Sequence, residues 1–174
     1  MKFPTRARYG LRMMVELARL QQKTALVQLK NIAKVTGLSK KYLGQLIILL
    51  KDHGLVIGVS GRAGGYQLAR PAREITLRQV IRAVYGPIFA TECVANPDVC
   101  LNAVFCETRT IWSLISDKVQ EILDQYTLAD LVDRDWITRI KDEYPDSPYL
   151  HLQSLALENK DIYMFGCPSE RSEL

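Results

Sequence analysis

The chain has 174 residues, 48% of them apolar, which suits one globular domain with or without an extension and excludes a disordered chain. Its longest aliphatic run of note, Leu46–Leu50, is too short to span a bilayer, and no apolar stretch follows the basic N-terminus as in a signal peptide. A soluble cytoplasmic protein is therefore expected, with no membrane partner. The net charge of +4 conceals two unlike halves: residues 1–82 hold 16 Lys and Arg against 3 Asp and Glu (+13), and residues 83–174 hold 7 against 16 (−9). Such a division predicts a polyanion partner for the first half only.

Pro4 suits the first turn of a helix, where its missing N–H costs nothing. Leu11, Met14, Val15 and Ala18 then recur at helical spacing to about Gln22, widened by Leu17 and Leu20. A second short helix is expected over about Leu29–Val35, with Leu29, Ile32 and Ala33 inward. Gly37 supplies a turn, Leu38 plugs it, and Ser39 is a good N-cap for a third helix over Lys40–Asp52. Its core stripe is Leu43, Leu46, Ile47 and Leu50. The opposite face carries Lys40, Lys41, Gly44, Gln45 and Ile48.

Leu55–Val59 and Tyr66–Ala69 read as strands around the turn cluster Ser60-Gly61-Arg62-Ala63-Gly64-Gly65. Thr76 caps a fourth helix to Tyr85, with Leu77, Val80, Ile81 and Val84 inward. Residues 86–106 read as a loop, broken by Gly86, Pro87, Asn96, Pro97 and Asn102. A long helix follows over about Glu107–Tyr126, with Ile111, Leu114, Ile115, Val119, Ile122 and Leu123 on one broad apolar stripe. A short helix over Thr127–Asp133 comes next, and the pattern weakens from Asp135. The predicted fold is mainly α with a small β-hairpin wing (α+β): a winged helix-turn-helix followed by a long helix.

In a helix-turn-helix the second helix of the pair enters the major groove, its N-terminal residues at the base edges. Ser39, Lys40, Lys41, Tyr42 and Gln45 occupy that turn. Lysines and hydroxyls suit phosphates, and the Gln45 amide can pair bidentately with adenine. At the wing tip Ser60 and Arg62 stand among glycines that leave backbone N–H groups accessible, so Arg62 can reach a minor groove or a phosphate. A phosphate-binding P-loop is excluded, because no Gly-Lys-Ser/Thr ends the run and no helix follows directly. With two distant histidines there is no nucleophile–base set, so no enzyme is expected.

Cys93, Cys100 and Cys106 form a Cys-x6-Cys-x5-Cys loop. Thiolates are the usual ligands of iron–sulfur centres, although a thiol–disulfide switch or a zinc site uses the same residue type.

The chain resembles the bacterial winged-helix transcription factors typified by the iron–sulfur cluster regulator IscR, whose relatives sense nitric oxide, iron or cysteine supply. The resemblance covers about residues 1–133. It rests on Arg8-Tyr9, Gly37-Leu38-Ser39, Tyr42-Leu43, Gln45-Leu46, Gly54-Leu55-Val56, Gly61 with Gly64-Gly65-Tyr66, the three-cysteine loop and Thr127-Leu128. It implies a homodimer paired through the long helix, a palindromic DNA operator, and a [2Fe–2S] or [4Fe–4S] cluster on the three cysteines. Arg8 of the first helix joins the expected DNA-binding set.

The chain also departs from that pattern. Gly44 stands where such proteins often carry an acidic residue, and Ser60 where many have Arg, with Arg62 a possible substitute. The fourth cluster ligand in the family is often a His three residues after the last Cys, or an acidic residue from the partner's first helix. Here those positions hold Arg109 and Arg8, and guanidinium offers no lone pair. The fourth ligand is left open among Glu107, Asp98, Glu92, His53, His151 and Cys167, with Cys167 chemically the most attractive.

The resulting expectation divides the chain into a DNA-binding domain (1–85), a sensor loop (86–106), a dimerisation region (107–134) and an extension of unassigned role (135–174). It describes a homodimeric regulator, repressor or activator, governed by an iron–sulfur cluster. Alternatives are a thiol or small-ligand switch without a cluster, and a protein-interaction module that does not bind DNA.

Overall fold

The computed structural model describes residues 3–133 and 135–147. The candidate ligands His151 and Cys167 lie outside the described residues, as does most of the 135–174 extension.

Helix α1 (Thr5–Gln21) buries Ala7, Gly10, Met13, Met14, Leu17 and Ala18. The buried face is turned by roughly one residue from the expected stripe, leaving Leu11 and Val15 half-buried at its edge. Close approach is the reason. Ala7 and Gly10 carry little hydrophobic signal, yet they let the fourth helix lie against α1; a Cβ on Gly10 would stand 2.7 Å from Val84 Cγ2.

Helix α2 (Leu29–Thr36) ends at Gly37, whose φ of +75° is a left-handed value that L side chains rarely adopt. The buried Thr36 hydroxyl donates to the Ile32 carbonyl at 2.8 Å and accepts from the Leu38 N–H at 3.3 Å, closing the turn. Helix α3 (Lys40–Asp52) begins at Ser39, whose Oγ accepts from the Tyr42 N–H at 3.2 Å. Leu43, Leu46, Ile47 and Leu50 are buried, as the stripe predicts.

Strands β1 (Val56–Val59) and β2 (Gly65–Leu68) pair antiparallel, with Val56 opposite Leu68 and Val59 opposite Gly65. The turn between them demands Gly64: a Cβ there would meet the Val59 carbonyl oxygen at 2.2 Å. The base of the hairpin is fixed to the helices. Val27 and Tyr66 exchange two backbone hydrogen bonds of 2.9 Å, and Gln21 Oε1 accepts from the Leu68 N–H at 2.9 Å. Helix α4 (Leu77–Val84) starts at a reciprocal Thr76–Gln79 capping box and buries Leu77, Val80, Ile81 and Val84.

The segment expected as a loop contains a helical turn, α5 (Glu92–Ala95), and a 3₁₀ turn at Pro97–Val99. Helices α6 (Glu107–Gln125), α7 (Leu128–Val132) and α8 (Trp136–Glu143) follow. The last lies where the sequence pattern weakens; its Trp136 ring meets Tyr126 edge-on, with centroids 5.8 Å apart. One core runs from Met13, Met14 and Leu17 of α1 through α3 and α4 to Leu128 of α7. Among the described residues no helix is long and apolar enough to cross a membrane.

The stripe on α6 divides in two. Val119 and Leu123 pack towards Ala7, Ile81 and Ile88, and Ser116 is buried beside them. At 100° per residue, Ile111, Leu114, Ile115 and Ile122 fall on a separate face about 120° away. Ile111, Leu114 and Ile122 there are 55%, 54% and 53% exposed.

Candidate nucleic-acid interface and cysteine segment

Ser39, Lys40, Lys41 and Gln45 are all exposed on the leading turns of α3. Tyr42 is placed differently. Its ring is half-buried against Tyr9 of α1 (centroids 5.7 Å apart, nearly perpendicular), and burial pushes its phenol pKa up while the Arg6 guanidinium opposes that shift. Tyr42 thus ties α3 to α1.

Arg8 is half-buried on α1. Its guanidinium donates to Thr5 Oγ1 at 3.2 Å and lies 6.0 Å from the Tyr9 ring centre. Ser60 and Arg62 are exposed at the wing tip. His53 closes the end of α3, its Nδ1 2.9 Å from the Leu49 carbonyl.

A cleft of about 420 Å³ separates the start of α2 from the wing, lined in part by Gln28, Lys51, Ser60 and Tyr66. Gln28 and Lys51 therefore share a surface with the wing tip that motif reading does not assign to them. For Lys51 a signal was present, since a cation in the last turn of α3 extends the basic side of that helix.

The cysteine segment is fastened to α6. The Ala90 N–H donates to Ser116 Oγ at 2.9 Å, and that hydroxyl donates onward to the Trp112 carbonyl at 2.7 Å. Arg109 Nε donates to the Cys93 carbonyl at 3.0 Å. Arg109 thus holds the backbone of the first cysteine.

Cys93 Sγ lies 3.3 Å from Thr91 Oγ1, and Cys106, the residue just before α6, lies 3.2 Å from Thr108 Oγ1. The Thr108 hydrogen bond, with backbone N–H groups and Arg109, draws the Cys106 thiol pKa down. Between them Leu101, Val104 and Phe105 are exposed. Three thiols on one short segment suit a cluster by donor chemistry. Their placement does not: among the described residues, which include Glu92, Asp98 and Glu107, no three Cys, His, Asp or Glu side chains form a group able to hold a metal ion.

A helix-turn-helix with a basic leading turn, beside a hairpin anchored to the same core, defines a winged-helix DNA-binding module. The chain belongs to the Rrf2 family, whose model, described as "Iron-dependent Transcriptional regulator", matches residues 3–134. It is similar to protein Rrf2 of Nitratidesulfovibrio vulgaris, 37% identical over 132 residues that span 76% of this chain and 87% of the relative. Among solved structures it resembles CymR of B. subtilis, with 38% identity, a TM-score of 0.63, and coverage of 76% of this chain and 96% of the other. It also resembles T. potens IscR, with 32% identity, a TM-score of 0.62, and coverage of 87% and 96%. This is a DNA-binding transcriptional regulator, and its relatives are regulators rather than enzymes.

Proposed function

We propose that this regulator acts in the cytoplasm as a homodimer on a palindromic operator, with its cysteine segment as the sensor. The exposed face of α6 supports the dimer, because four aliphatic side chains on one side of a 19-residue helix, Ile111, Leu114, Ile115 and Ile122, remain 36–55% exposed among the described residues. Arg8, Ser39, Lys40, Lys41, Gln45, Ser60 and Arg62 form the DNA surface, and Tyr42 sets the pose of α3 by packing on Tyr9 of α1. Residues 1–85 then constitute the reader, 86–106 the sensor and 107–134 the dimerisation region.

The observation that carries the sensing proposal is the fastening of the cysteine segment to α6 through Ser116 and Arg109. A change in the thiols is felt at the helix that sets the separation of the two readers. Such a change alters DNA affinity only by stabilising one dimer geometry over another. On donor chemistry the first reading of the effector is an iron–sulfur cluster on Cys93, Cys100 and Cys106, which would supply a redox-active iron centre and would require the three thiols to gather from the separate positions they hold here.

A second reading rests on the separate hydrogen bonds of Cys93 and Cys106 to threonine hydroxyls, which suit a thiol switch without metal. CymR of B. subtilis, a similar protein, is described as "the Global Cysteine Regulator". Anaerobic purification followed by visible absorption, iron and sulfide analysis separates the two. The cluster reading expects a coloured protein containing both elements, and a Cys93→Ala protein that loses them. A colourless, iron-free wild type removes the cluster and leaves the thiol switch.

A further inference from the structure

At 100° per residue, Lys41, Gly44, Gln45, Ile48 and Asp52 succeed one another along one side of α3, opposite the buried Leu43, Leu46, Ile47 and Leu50. Ile48 sits in the middle of that side and is 58% exposed. Burial within the chain does not account for it, and helix propensity favours Lys, Gln or Ala over a β-branched residue. A single exposed aliphatic residue is unremarkable on most surfaces. Here its address is informative.

One turn earlier, Gly44 has no side chain, and a Cβ there would meet nothing within 4 Å. The helix is therefore bare just ahead of Ile48, so that side of α3 can approach base edges closely. The major groove offers one apolar feature on those edges, the C5-methyl of thymine. Gln45, the exposed neighbour of Gly44 and Ile48 on this side, has the amide geometry for adenine N6 and N7.

We infer that Ile48 is a specificity-determining residue that packs on a thymine methyl, forming with Gln45 an A·T-reading centre in each half-site. The inference rests on the reading that this side of α3 faces DNA. Ile48 contributes no hydrogen bond and no charge. It discriminates thymine from cytosine and from uracil by apolar contact alone.

The test begins with selection of tight-binding duplexes from a random pool by the full-length wild-type protein. Each thymine of the selected duplex is then replaced, one at a time, by deoxyuridine, which removes only the methyl. Dissociation constants are measured at fixed salt for the wild type and for Ile48→Ala. At one thymine in each half-site the wild type should bind the deoxyuridine duplex about three- to fivefold more weakly, the scale of one buried methyl group. The Ile48→Ala protein should bind both duplexes alike there, while methyl loss elsewhere affects the two proteins equally. Alanine is the better helix former and the site is exposed, so the variant's melting temperature should match the wild type. Identical methyl effects in both proteins at every thymine overturn the inference and assign the exposed side chain to a protein partner. Failure of the wild type to enrich any sequence overturns the DNA-facing reading of α3 and the inference with it.

Discussion

Charged residues on the outer face of α6, introduced as Ile111→Glu with Leu114→Glu, should leave a folded monomer where the proposed homodimer pairs through that face, and should weaken binding to a two-half-site operator by about a hundredfold or more. The two side chains are more than half exposed within one chain, so their replacement opens no cavity in the winged-helix core. In a dimer they would meet their symmetry mates, where paired carboxylates are desolvated and repel. Binding of one half-site then no longer raises the local concentration of the second reader. Sedimentation or light scattering should give the mass of a single chain, with the melting temperature of that chain intact. A variant that remains dimeric would place the interface elsewhere.

Replacement of Lys40 and Lys41 together by alanine should leave stability within about 0.5 kcal/mol of the wild type, because both side chains are exposed. Operator binding should suffer much more. If each lysine meets one phosphate in each half of a two-fold complex, four phosphate contacts are lost. The slope of log affinity against log salt then becomes shallower by about 3.6. Lines that converge near about 1 M salt differ by roughly a thousandfold at about 0.15 M salt. An unchanged slope would mean that the leading turn of α3 does not approach the backbone of DNA.

Much of this arrangement is legible in the sequence because it rests on local rules. Ser39 and Thr76 announce helix starts through side chains that satisfy backbone N–H groups, and each stands at one in the structure. The Leu43-Leu46-Ile47-Leu50 stripe fixes the buried side of α3, and so which residues are presented outward. What escapes reading depends on contacts far apart in the chain. The buried face of α1 is displaced because Gly10 lies against Val84, a contact between residues with no local relation. Gln21 resembles an ordinary surface residue, yet it receives the Leu68 N–H from the wing.

The same limit applies to the cysteine segment. Cysteine spacing reveals which residues are chemically suited to a cluster, but the gathering of three thiols is a property of backbone path. Here that path is held by Ser116 and Arg109, whose partners Ala90 and Cys93 lie 26 and 16 residues away. The apolar stripe of α6 looks single in the sequence because core-facing and outward-facing aliphatics differ only in what covers them. Packing of Val119 and Leu123 on Ile81 and Ile88 separates the two sets.

If a basic winged-helix face, doubled by symmetry, reads DNA, the footprint of the protein must itself be two-fold. Footprinting of the purified full-length protein on a duplex enriched from a random pool, at physiological salt, shows this without further assumption. Two inverted half-sites about one helical turn apart, centre to centre, should be protected, and the protection should be lost when Lys40 and Lys41 are replaced. Protection of a single unpaired site, or an equal affinity for enriched and unselected duplexes, would contradict a symmetric, sequence-reading dimer.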